Sequence, residues 1–262
     1  IMFIGAQLYT VRKYLGSNEG IDEAFRKSRE AGYDCVQYSG APDGGNFDPD
    51  FLKSVIDKYN LPVTLTHVSF DRLLQETENE IKKHIAIGCR NIGIGGVPTE
   101  KIVDEGKLAE VAEQLNRITD KINSAGCKFY YHNHCIEFYR LKNGQTILDY
   151  LIEKVPGMNI TLDTHWVQRG GADVVETINR LHGKLECVHL KDYKVNEKWE
   201  AKFAPVGDGN LNWNKILPAF EKAGAKYAFV EQDDAENYGD PFDCLIKSRK
   251  NLEKLGYPIC RK

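Results

Sequence analysis

The segment SAGCKFYYHNH (124–134) carries a helix end, a glycine, an apolar and aromatic run and two histidines in one short stretch. Glycine closes a helix because it adopts the left-handed conformation at no steric cost. The continuous apolar run after it reads as a buried parallel strand. The same order recurs as EAGYDCVQYSG (30–40), AIGCRNIGIGG (86–96) and KAGAKYAFVEQ (222–232). Working outward from these four, strands are expected at 3–9, 34–39, 62–67, 90–95, 127–133, 158–163, 185–190 and 226–232. Helices are expected at 21–31, 49–59, 71–87, 104–125, 146–154, 172–182, 213–223 and 241–255. Asp48-Pro49 supplies an N-cap and a first-turn proline. Val103, Leu108, Val111, Leu115, Ile118 and Ile122 form an amphipathic stripe over 104–125. Eight alternations of strand and helix without a break in composition predict an α/β protein, a single-domain (β/α)8 barrel over residues 1–262. An open doubly wound sheet would need a Gly-rich phosphate turn after its first strand, and Tyr9-Thr10-Val11-Arg12 is nothing like one.

Composition narrows the function classes. The 262 residues hold 35 basic and 38 acidic side chains, a net charge of −3, with no basic patch of the kind nucleic acid needs. No apolar run approaches the roughly 18 residues of a membrane span. The opening IMFIGAQLYTVR lacks a basic region and a cleavage site, so it reads as the first strand and not as a signal. Cys35, Cys89, Cys127, Cys135, Cys187, Cys244 and Cys260 form no CxxC pair, and several lie in apolar runs. They read as reduced, buried thiols of a cytoplasmic protein.

A barrel places its active site at the C-terminal ends of its strands. Five of the seven histidines, His67, His132, His134, His165 and His189, fall at or just past an expected strand end; His84 and His182 fall in helices. Glu137, Asp163, Asp192 and Glu231 share that bias. A carboxylate inside a buried strand, as in FVE (229–231), needs a cation or hydrogen-bond donors. If the strands close, Asp163, His189 and Glu231 converge from strands six, seven and eight. Two carboxylates and neutral imidazole suit Mn²⁺, Co²⁺ or Zn²⁺. Strand five would complete the site with His132, His134 or Glu137. Alternate strand residues point opposite ways, so His132 and His134 share a face.

At these residues the chain resembles the sugar phosphate isomerase/epimerase family, the xylose-isomerase-like TIM barrels that also include endonuclease IV. The resemblance runs through GAQLYTVR (5–12), AGYDCVQ (31–37), YHNHCIEF (131–138), LDTHW (162–166), CVHLKDY (187–193), PVGDGNLNW (205–213) and VEQDD (230–234). It implies one divalent metal held by four strand-end residues, with Asp163, His189 and Glu231 matching the last three. The family's strand-five Glu aligns with His132, a departure. Either His132 is the ligand, the favoured reading, or the chain bends so that Glu137 reaches the metal. His134 falls where relatives place a proton-transferring residue, and Glu137 is the other candidate base. Lys191 is expected to bind a substrate hydroxyl or an oxyanion; its plainer reading is a solvated loop lysine. Gln7, His67 and Trp166 are expected to line the mouth. Gly207-Asp208-Gly209 lies where barrels often bind phosphate, but it contains no Lys or Arg, so a structural turn is expected.

The resemblance implies a metal-dependent sugar isomerase or epimerase acting through an enediolate on a ketose, aldose or related polyol. The alternatives are a lyase or dehydratase on keto-sugars, inososes or 3-keto-glycosides, and a non-catalytic sugar-binding partner subunit. A nuclease is disfavoured by pI ≈ 6.2. The resemblance also implies that a homodimer is permitted, although no residue demands one.

Overall fold

The computed structural model describes residues 2–259, so Cys260 lies outside the described residues. Eight parallel strands form one sheet: β1 (Phe3–Gln7), β2 (Cys35–Tyr38), β3 (Val63–His67), β4 (Asn91–Ile94), β5 (Lys128–His132), β6 (Asn159–Thr161), β7 (Cys187–Leu190) and β10 (Tyr227–Val230). Their spatial order is β6-β5-β4-β3-β2-β1-β10-β7. The sheet curls until β6 and β7 meet. That seam has a single bridge, Asp163 opposite His189, with the His189 N–H donating to Leu162 O at 2.9 Å. The other neighbouring strands share ladders of two to four paired residues.

One main helix follows each strand: Asn18–Glu30, Pro49–Tyr59, Phe70–Ala86, Glu105–Ser124, Ile147–Lys154, Val174–Arg180, Trp213–Ala223 and Pro241–Lys254. Side-chain oxygens of Ser17, Asp48, Ser69, Asp104, Thr146, Asp173 and Asp240 cap the N-termini of seven of them. At the other ends, Gly32, Gly88, Gly126 and Gly224 all take positive φ, from +71° to +94°. That is the conformation the repeated Ala-Gly signature requires. Leu108, Val111, Leu115, Ile118 and Ile122 are buried in the core between helices and sheet. Val103 is a correction to that stripe: it caps the short helix Thr99–Ile102 and is exposed.

β3 and β7 end where expected, and the other six barrel strands end one or two residues earlier, where the chain turns into the loops that carry the site. Gln7 caps a 3-10 helix (Leu8–Gly16) by accepting from the Tyr9 N–H, and Asp163 caps a helix over Thr164–Arg169. A hairpin, β8 (Asp192–Val195) with β9 (Ala201–Ala204), follows β7 and was not expected. Inside the barrel, residues two apart on each strand form two layers. The lower is apolar: Cys35, Leu65, Tyr130, Cys187 and Phe229. The upper carries Gln37, His67, His132, His189 and Glu231, each two residues further along its strand.

Candidate active site

The upper layer opens into a cavity of about 540 Å³ at the C-terminal ends of the strands, lined by Gln7, His67, His132, His134, Lys191, Glu231 and Asp233 among others. Beneath it His132, Asp163, His189 and Glu231, all buried, each offer one donor atom, and these atoms lie within 4.8 Å of one another. The convergence comes from the barrel: the four residues sit at the ends of β5, β6, β7 and β10.

The two imidazoles are oriented from behind. The Gly95 carbonyl accepts from His132 Nδ1 at 3.2 Å, which leaves Nε2 facing Asp163 Oδ2 at 3.2 Å. Gln37 Oε1 accepts from His189 Nε2 at 2.7 Å, which leaves Nδ1 facing Glu231 Oε2 at 3.0 Å. Those tautomers follow from the acceptors behind each ring. His189 Nδ1 and Glu231 Oε2 are close, yet both are buried without a hydrogen-bond partner. Atoms so placed are aimed at a shared point and not at each other. Two imidazole nitrogens and two carboxylate oxygens around one point fit a borderline divalent ion.

The electrostatics point the same way. Burial favours the neutral acid at Asp163, but Lys191 and His132 outweigh it and hold the carboxyl well below its ordinary range. At Glu231 burial is likewise overcome by Lys191 and His189. Burial disfavours charge on His189, yet Glu231 and Asp163 raise its pKa, so the cluster attracts positive charge. His132 is lowered by burial and by His189.

Gln7 Nε2 donates to Glu231 Oε1 at 3.1 Å, so Gln7 both lines the cavity and fixes that carboxylate. The His67 ring stands 5.4 Å from His132 and 5.6 Å from His189. His134 lies on the rim, 4.7 Å from the His132 ring. Among the described residues its ring nitrogens have no hydrogen-bond partner. Burial, His132 and Lys191 bring its pKa down to about 3, so it is neutral near pH 7. Trp166 stands behind it at 5.4 Å and packs edge-on to His165, outside the cavity lining.

Glu137 does not approach the four donors. Its Oε1 accepts from Tyr131 OH and its Oε2 from the His134 N–H, both at 2.7 Å, and burial pushes its pKa up to about 7. The bend that would carry Glu137 to the cluster is absent; the residue anchors the loop that presents His134. Lys191 is no solvated loop residue. It is 1% exposed, with Nζ 2.8 Å from Glu231 Oε2 and 3.0 Å from Asp163 Oδ2. His165 and Asp192 also stay out of the cluster. His165 stacks on Phe203 at 4.2 Å. Asp192 receives five donors: the N–H groups of Tyr193, Gly207, Gly209 and Leu211, and Trp213 Nε1. The Gly207-Asp208-Gly209 stretch is therefore a turn wrapped around the chain's own carboxylate.

Gln37, Asn133 and Asp233 were missed from the sequence. Asn133 Oδ1 accepts from the Asp163 N–H at 3.0 Å. Gln37 is a polar residue inside the apolar strand CVQY, and Asp233 stands two residues past Glu231; both signals were present in the sequence.

Comparison with known proteins finds relatives in sequence and in fold. An inosose dehydratase of Geobacillus thermodenitrificans is 26% identical over 159 residues, 53% of this chain and 52% of that protein, so the match spans about half the relative's length. An inosose dehydratase of Clostridium beijerinckii is 22% identical, over 93% of this chain and 92% of that one. The crystal structure of a sugar phosphate isomerase/epimerase from Parabacteroides distasonis superposes with a TM-score of 0.78 at 21% identity, covering 97% of this chain and 94% of the other, and so shares the fold. Residues 25–248 match the family model of the xylose isomerase-like TIM barrels, and the chain belongs to that family.

Proposed function

We propose that this protein is a divalent-metal-dependent enzyme that removes the proton beside the carbonyl of a sugar or polyol, a sugar isomerase or epimerase working through an enediolate. The observation that carries this reading is the set of four buried donors at the floor of the strand-end cavity. His132, Asp163, His189 and Glu231 would hold the ion, Mn²⁺, Zn²⁺ or Co²⁺. When bound, it would polarise the substrate carbonyl and acidify the neighbouring carbon.

The chain's own groups supply the rest. His134, neutral and free at the rim, takes the proton. Glu137 positions His134 by accepting its backbone N–H. Lys191 offers an ammonium to the oxygen that gains negative charge. Gln7 and His67 form the wall against which the substrate is held, and Trp166 backs His134. Positioned acid–base groups of this kind contribute roughly 10²–10⁴ in rate. The six cysteines among the described residues are unpaired, which supports a cytoplasmic location.

A second reading, a dehydratase acting on a keto-sugar or inosose, is supported by the names of the two curated relatives. It shares the first proton removal and differs in the loss of a β-hydroxyl. Incubation with Mn²⁺ and a panel of ketoses, aldoses and inososes in D₂O separates the readings. Deuterium entering beside the carbonyl of a product of unchanged composition marks an isomerase or epimerase. Loss of water marks a dehydratase. A panel that binds without any exchange would leave a sugar-binding subunit and end both enzymatic readings.

A further inference from the structure

Lys191 is the single lysine or arginine among the described residues that line the cavity. Its ammonium touches the same two oxygens, Asp163 Oδ2 and Glu231 Oε2, that face His132 and His189. A divalent ion held by those oxygens and the ammonium compete for one place, because like charges a few ångströms apart among buried side chains repel strongly. The geometry already contains an alternative partner. Glu231 Oε2 has no hydrogen-bond partner despite its closeness to Nζ, whereas the ammonium does donate to Asp233 Oδ2 at 3.3 Å. Asp233 Oδ1 lies 3.1 Å from Nζ, out of hydrogen-bond alignment, on a side chain that is 24% exposed and lines the cavity. The charges balance as well. With both imidazoles neutral, Asp163, Glu231 and Asp233 carry three negative charges and Lys191 one positive, and the remainder matches one divalent ion.

Building on the reading that the four-donor cluster takes a divalent cation, we infer that Asp233 and Lys191 act as a pair that sets the cluster's affinity for that cation: Asp233 takes over the ammonium that Asp163 and Glu231 give up. Asp233 is thus a positioning residue. It draws the Lys191 ammonium toward the cavity, where a substrate oxygen would meet it.

The test is Mn²⁺ binding by calorimetry to chelator-treated wild type, Lys191→Met, Asp233→Asn and the double variant, without recourse to turnover. Lys191→Met is expected to tighten binding. Asp233→Asn is expected to weaken it by roughly 10–100-fold, as loss of an outer partner of a metal site does. In the Lys191→Met background, Asp233→Asn should have little effect. Unchanged or weaker binding in Lys191→Met overturns the inference. So do effects that add to within about twofold, the behaviour of independent sites. If Lys191→Met does not fold, Asp233→Asn decides alone, and unchanged affinity there overturns the pair. Wild type that binds one Mn²⁺ but exchanges no substrate proton ends the enzymatic reading and leaves this inference standing; wild type that binds no divalent ion ends both.

Discussion

Asp163 performs two tasks with its two oxygens. Oδ1 accepts from the Trp166 N–H and starts the helix Thr164–Arg169, while Oδ2 faces His132 and Lys191. The tasks separate by substitution. Asparagine caps a helix about as well as aspartate, whereas alanine costs about 1 kcal/mol. Asp163→Asn is therefore expected to keep stability near wild type and to drop metal content from one ion per chain toward none, by elemental analysis. Asp163→Ala should lose both, and full stoichiometry in Asp163→Asn and Glu231→Ala together would dismiss the site. His134→Ala should retain its ion and lose about 10²–10⁴ in kcat. A missing ion in that variant would move His134 among the donors. Glu137 gives a pH signature. Its folded pKa, about 7, lies above the ordinary 4.5, so the folded protein holds the extra proton between those values. Stability present below pH 4.5 is lost as pH rises toward 7, by up to about 1.4 kcal/mol per pH unit. Glu137→Gln should flatten that decline in urea titrations at pH 5 and pH 8; an unchanged slope would assign it to another group.

At the scale of elements, the loop between β7 and β10 depends on one buried carboxylate. A Cβ on Gly209 would collide with Asp192, so the turn is closed around that side chain. Asp192→Ala leaves five donors without their acceptor and is expected to cost about 3 kcal/mol or more in urea denaturation. A loss under 1 kcal/mol would mean that water replaces the carboxylate. The turn itself could be read from Gly-Asp-Gly; its partner could not, since Asp192 lies 15 residues upstream of Gly207. The eight strands and eight main helices were readable because most carry a local signal: an apolar run, a capping side chain or a closing glycine. β8 and β9 were not. They lack the continuous apolar run of the buried barrel strands: DYKV and AKFA are only partly buried, with Lys194 opposite Lys202, and so carry no local signal. The same limit applied to the choice between His132 and Glu137. It rests on where β5 ends and on Tyr131 OH pinning Glu137, and neither is written in spacing. His165 looked like a fifth strand-end candidate until the helix starting at Thr164 turned its ring toward Phe203.

For the molecule as a whole, four elements far apart in sequence supply the donors, so an ion that binds there binds only the folded chain. Such binding stabilises by about 2.7 kcal/mol at a hundredfold excess over Kd. Thermal unfolding should therefore rise with Mn²⁺ concentration and fall back with a chelator, while Asp163→Asn should not respond. A shift of equal size in that variant would place the ion elsewhere. The barrel's closure was legible from the count of alternations, but its weakest join was not, because strand registers are set by tertiary packing. That join has a further consequence. Asp163 and His189 face each other across the β6–β7 seam, so a shared ion would act as a clasp on the stave gap of the barrel. Amide hydrogen exchange at His189 should then slow on metal addition more than at the well-laddered β4–β5 pair, and the opening and shutting of that gap becomes a gauge of occupancy that needs no substrate at all.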